Sequence, residues 1–184
     1  MNNTNSKWST KMIAEGGVML ALAFILGRIT LFKMPQGGSI TAGQMIPLII
    51  FAIRHGAGPG IVVGALYGVL DMMFGGSIYH PVQAILDYPL AYASLGLVGF
   101  FSKNFAANHE IAPVIKGTFL GVFARFICHV LTGVIFFGSY APEGQNVWAY
   151  SAIYNGTFLG VEFVITIIII FLLKNLITKD LARL

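Results

Sequence analysis

The chain has 184 residues, of which 57% are hydrophobic and 10% charged, against about 25% charged residues in an average soluble domain. So few polar groups cannot cover a water-facing surface, which excludes an ordinary cytosolic enzyme, a disordered regulator and a nucleic-acid-binding domain. The net charge of +4 is spread between apolar runs, a distribution that reports membrane topology and not a phosphate-binding patch.

Six stretches approach the roughly 20 apolar residues that cross a bilayer. They are residues 10–32, 42–53 (short), 57–74 (glycine-rich), 80–101, 111–137 and 148–174. The reading is an all-α integral membrane bundle of six transmembrane helices, a single membrane domain over residues 1–184. Lys7 and Lys11 precede an apolar stretch, and Ala21-Leu22-Ala23 imitates a signal-peptide cleavage site. The triplet lies inside the apolar run, so a retained anchor is the better reading. A single cysteine, Cys128, excludes a disulfide framework and reads as a packed small side chain.

Lysine and arginine set the orientation. One side holds Lys7, Lys11, Arg54, Lys103, Lys116, Lys174, Lys179 and Arg183; the other holds only Arg28 and Lys33. The bias puts both termini in the cytoplasm, as an even number of spans requires, and a bacterial plasma membrane fits it. Three polar stretches then face outward: residues 34–41, 75–80 and 140–146. At about 1.5 Å per residue, Asp87 lies about 10 Å in from the outer end of its helix, His129 about 12 Å and Asn155 about 10 Å.

Spacing brings more residues to this level. His80, Gln83 and Asp87 share one helix face; Arg125, His129, Gly133 and Phe137 recur every four residues, as do Tyr150 with Tyr154 and Ser151 with Asn155. Ionisable groups in a membrane face a bundle interior or cavity, and Arg125 and Glu162, both near mid-membrane, read as a pair. A carboxylate, an imidazole, amides and aromatic rings suit a small, flat, partly cationic ligand. Gly37-Gly38 and Gly75-Gly76 let the outer loops bend over it. Phosphate-loop, zinc-protease, serine-hydrolase and dinucleotide motifs are missing, so no catalytic residue, metal or cofactor is expected. On the first helix, Gly17 with Ala21 and Ala23 with Gly27 have the small-residue spacing of close helix contacts.

Gly37-Gly38-Ser39-Ile40-Thr41, the run from His80 to Tyr92 containing Leu86-Asp87-Tyr88, Tyr140-Ala141-Pro142-Glu143-Gly144, and Tyr150-Ser151 with Tyr154-Asn155 together resemble the thiamine-specific membrane subunit of energy-coupling factor transporters, over nearly the whole chain. The resemblance implies a subunit that captures thiamine from outside under a first-loop lid. It implies delivery together with a transmembrane coupling protein and two ATPases, contacted through Gly17 and Ala21. The family's binding positions fall on Asp87, Tyr88, His129, Gly133, Tyr150 and Asn155. Asp87 stands where some members have glutamate, and Phe137 where a tryptophan often stacks on the ligand. Tyr79, Arg125 and Ser151 join the candidate site by their place in the same cluster. A self-sufficient proton-coupled carrier, a membrane enzyme acting on a heterocycle and a neighbouring vitamin specificity remain open alternatives.

Overall fold

The computed structural model describes residues 8–102, 105 and 110–181, the side chains of 179–181 excepted. Lys7, Lys103, Arg183 and the side chain of Lys179, which carry part of the expected charge bias, lie outside the described residues. Among the described residues, five helices are long and apolar enough to cross a membrane: α1 (Thr10–Arg28), α3 (Ala57–Gly75), α4 (Pro81–Phe101), α5 (Ala112–Phe136) and α6 (Val147–Leu181). The sixth expected span is the shorter apolar helix α2 (Met45–His55). Residues 45–49 and 51–53 of α2 are buried, and it packs against α1, α3, α4 and α6. A helix surrounded by others has no polar face.

One expectation needs correcting. The first span was expected to run to residue 32, but α1 ends at Arg28. The chain then turns into a strand, β1 (Thr30–Lys33), paired antiparallel with β2 (Ser39–Thr41) through a turn at Pro35–Gly37. The all-helical bundle therefore carries one small hairpin. Hydropathy does not distinguish Thr30-Leu31-Phe32 from one more helical turn, because a short apolar run fits either structure. The fourth expected span is present as α4, which is irregular. Its turn at Leu86–Leu90 is π-helical around Pro89, and Ser94–Phe101 is a 3-10 segment. Proline lacks the amide donor and crowds the preceding turn. Widened turns of this kind recur at functional sites, and this one carries Asp87 and Tyr88.

A glycine seam positions that turn. Gly60, Gly64 and Gly68 on α3 meet, in order, Gly96, the Tyr92–Ala93 backbone and the Tyr88–Pro89 backbone of α4. A β-carbon on Gly60 would stand 3.1 Å from the Gly96 Cα, and one on Gly96 would stand 2.5 Å from the Gly60 carbonyl carbon. Backbone therefore lies on backbone, as small residues permit in membrane helices. Gly56, at φ 88°, allows α2 to reverse into α3 within one residue. Cys128 is buried on α5.

The two small-residue pairs of α1 part company. Ala23 is fully buried, and a β-carbon on Gly27 would meet the Tyr67 hydroxyl at 2.6 Å, so this pair packs inside the bundle. Gly17 and Ala21 are exposed, and nothing lies within 4 Å of a β-carbon placed on Gly17.

Candidate functional site

The hairpin, the 75–79 loop and the like ends of α4, α5 and α6 enclose a cavity of about 390 Å³, within the size range of small-molecule sites. All ten expected site residues line it: Tyr79, Asp87, Tyr88, Arg125, His129, Gly133, Phe137, Tyr150, Ser151 and Asn155. His80, placed on the same helix face in sequence, has another job. Its Nδ1 accepts from the Val82 amide at 3.1 Å and caps α4, while its ring stacks on Phe136.

Asp87 has three protein donors. Its Oδ1 accepts from Thr132 Oγ1 at 2.5 Å and His129 Nδ1 at 2.9 Å, and its Oδ2 accepts from Gln83 Nε2 at 2.8 Å. Arg125 Nε donates to His129 Nε2 at 3.3 Å. A ring nitrogen that accepts carries no proton, so the proton of a neutral imidazole sits on Nδ1, pointing at Asp87. The Arg125 guanidinium pairs in turn with Glu162 (Nη1 to Oε2, 3.5 Å), both side chains being buried. It also lies over the Tyr92 ring at 4.3 Å. The pairing expected from mid-membrane position is thus present. Its consequence is that Asp87 takes its hydrogen bonds from a hydroxyl, an amide and a neutral imidazole, while the nearby cation is already matched by Glu162.

The rest of the lining divides into scaffold and open groups. Ser151 Oγ donates to the Val130 carbonyl at 3.0 Å and accepts from Asn155 Nδ2 at 3.3 Å, so this side chain orients Asn155. Asn155 Nδ2 also donates to the Ser151 and His129 carbonyls. Among the described residues, its Oδ1 and the Tyr150 hydroxyl have no protein partner. Gly133 lets α5 and α6 close at this level, since a β-carbon there would stand 3.1 Å from Ser151 Cβ. The Tyr88 hydroxyl accepts from the Ser77 amide at 2.7 Å and holds the 75–79 loop. Phe137 meets Tyr79 edge-on and stacks with Tyr140, and Tyr150 stacks with Tyr154 on another wall.

Several lining residues escaped the sequence reading. Thr132, three residues from His129, was detectable from helical spacing. Gln83 stood on the Asp87 face, but its link from the Tyr79 amide and Ser77 carbonyl to Asp87 needs the folded loop. Arg28 and Asp71, paired at 3.4 Å on the cavity wall, come from distant helices, and the Tyr92 hydroxyl donates to the same aspartate at 3.1 Å. The hairpin is fastened across the opening by Tyr154, whose hydroxyl accepts from the Gly38 amide at 2.9 Å and donates to the Pro35 carbonyl.

Comparison with known proteins agrees with this architecture. The family model described as thiamine transporter protein (Thia_YuaJ) matches residues 13–181. Thiamine transporter ThiT of Bacillus subtilis (strain 168) is 36% identical over 178 residues, covering 91% of this chain and 92% of that protein. Thiamine transporter ThiT of Lacticaseibacillus paracasei is 36% identical over 174 residues, covering 86% and 84%. A solved structure of ThiT from Listeria monocytogenes superposes with a TM-score of 0.80 at 30% identity, covering 93% of this chain and 96% of the other. The match along nearly the whole bundle, together with its apolar helices, shows that this chain belongs to the Thia_YuaJ family of thiamine transporter proteins, multi-pass membrane transporters of bacteria and not enzymes.

Proposed function

We propose that the chain is the high-affinity thiamine-binding subunit of an energy-coupling factor transporter, a single membrane domain with both termini in the cytoplasm of the bacterial cell. Thiamine joins an aminopyrimidine to a permanently cationic thiazolium with a hydroxyethyl tail. The observation that carries the reading is Asp87: a carboxylate facing an aromatic cavity, with neutral donors around it and the neighbouring Arg125 already matched by Glu162. Arg28 on the cavity wall is matched by Asp71, and Lys33 also lines the cavity, but among the described residues neither bonds Asp87, whose charge is left for a cationic ligand. In this reading Asn155 Oδ1 and the Tyr150 hydroxyl meet the aminopyrimidine, whose amino group donates and whose ring nitrogens accept. His129 and Phe137 flank the two rings, and Tyr79 and Tyr88 close the side nearest the 75–79 loop. Titrating the purified chain with thiamine, without ATP or an ion gradient, tests the reading.

Delivery into the cell then requires a transmembrane coupling protein and two ATPases, and the exposed Gly17–Ala21 face of α1 is the surface for the coupling protein. Gly17→Leu is expected to leave thiamine affinity of the isolated subunit unchanged, because a side chain there meets no atom of this chain. The same change is expected to abolish thiamine uptake by cells that contain the whole transporter, because a leucine holds two helices apart. Paired measurements of binding and radiolabelled uptake check both halves; unimpaired uptake would move the coupling surface elsewhere.

A further inference from the structure

One buried carboxylate joins two parts of the molecule that serve different ends. Glu162 Oε1 accepts from the Thr41 amide at 3.1 Å and from the Thr41 hydroxyl at 2.7 Å. Thr41 closes β2 and so forms the base of the hairpin over the cavity. Glu162 Oε2 accepts from Arg125, whose Nε bonds His129, whose Nδ1 bonds Asp87. Thr41, Arg125 and Glu162 are all at least 95% buried. Buried ion pairs add little to stability against a well-packed apolar alternative, because desolvation offsets the attraction. This pair instead has a place in the site's charge balance. Without Glu162, Arg125 would stand one imidazole away from Asp87 as an unmatched cation and would compete with a cationic ligand for it.

We propose that Glu162 is the specificity-determining positioning residue: by neutralising Arg125 it reserves Asp87 for the ligand's cation, and by gripping Thr41 it holds the hairpin closed over that ligand. The inference rests on the thiamine-binding reading above and deepens it. Glu162 touches no ligand in this scheme and acts through Arg125 and Thr41.

Substitutions at two residues separate the two roles. Glu162→Gln removes the charge and keeps an oxygen for Thr41. Thr41→Val removes the hydroxyl that donates to Glu162 and accepts from the Gln44 amide at 3.4 Å and alters no charge, and Thr41→Ser restores it. Binding of thiamine and of its uncharged thiophene analogue, with thiamine dissociation rates, is measured on the full-length purified chain. The preference of Glu162→Gln for thiamine over the analogue is expected to fall about tenfold or more relative to the unsubstituted chain. Thr41→Val is expected to keep that preference and release thiamine about tenfold faster, and Thr41→Ser to release it at the original rate. A purely structural role would lower the melting temperature and leave both readouts of the folded fraction unchanged. Failure of the folded, unsubstituted chain to bind thiamine would defeat the functional reading itself. If that chain binds, an unchanged preference in Glu162→Gln or an unchanged release rate in Thr41→Val overturns the inference. Should Glu162→Gln fail to fold, the Thr41 pair decides the grip on the hairpin, and Glu162→Gln combined with Arg125→Gln decides the charge role: removing the cation with its partner is expected to keep the preference for thiamine, and a lost preference overturns the inference.

Discussion

Asp87→Asn is expected to weaken thiamine binding by about two orders of magnitude or more, the usual consequence of removing one partner of a buried, hydrogen-bonded charge pair. The substitution keeps the size of the side chain and removes the charge that the proposed reading assigns to the thiazolium. It also brings a second amide donor toward Gln83 Nε2, which now donates to Asp87 Oδ2 at 2.8 Å. Gln83 cannot simply turn over, because its Oε1 accepts from the Tyr79 amide and its Nε2 also donates to the Ser77 carbonyl. The wall made by the 75–79 loop is therefore disturbed along with the charge. Calorimetric titration beside a thermal melt checks the prediction. A loss smaller than about tenfold in a natively folded variant would mean that the cation is met elsewhere.

Gly68→Val is expected to abolish both folding and binding. A β-carbon at Gly68 would lie 2.5 Å from the Tyr88 carbonyl carbon and 2.6 Å from the Pro89 Cα. Both are backbone atoms inside α4 and cannot rotate away, so α3 and α4 would have to separate along their seam. Over-packing usually costs about 1–3 kcal/mol and occasionally more; contact with the backbone of two successive residues inside the π-turn puts this case at the upper end. The Tyr88 turn that moves is also the one that carries Asp87. Gly58→Val is the control, since a β-carbon at Gly58 meets nothing within 4 Å. Size-exclusion profiles in detergent and thermal unfolding should show Gly58→Val as native and Gly68→Val as aggregated or lacking a cooperative transition. A native melting temperature for Gly68→Val would refute the seam as the element that sets Asp87 in place.

What the sequence could reveal was whatever follows from helical periodicity and charge. Arg125, His129, Gly133 and Phe137 recur every four residues, and they do line one cavity wall together. Asp87, His129 and Asn155, at like depth on three helices, converge on the same cavity. Periodicity had nothing to say about the hairpin, because three extended residues and one more helical turn have the same hydropathy. Nor could it separate Gly17–Ala21 from Ala23–Gly27: the spacing is identical, and only the packing of Tyr67 and Gln44 against Gly27 shows which pair is internal. The Glu162–Thr41 contact spans 121 residues and leaves no local trace. Pro89 marked the irregular turn of α4 in sequence, yet its consequence, a π-turn pressed onto Gly68, needed the partner helix.

In the proposed reading this chain alone captures thiamine through a charge-matched cavity. Titration of the purified, detergent-solubilised chain with thiamine, followed by tryptophan and tyrosine fluorescence or by heat, tests it most directly when the pyrimidine precursor, thiamine phosphates and riboflavin are run alongside. Saturable one-to-one binding of thiamine without ATP or a gradient, stronger than that of the uncharged precursor and of riboflavin, is the predicted result. A folded sample that binds no thiamine, or binds the uncharged precursor equally well, would contradict it.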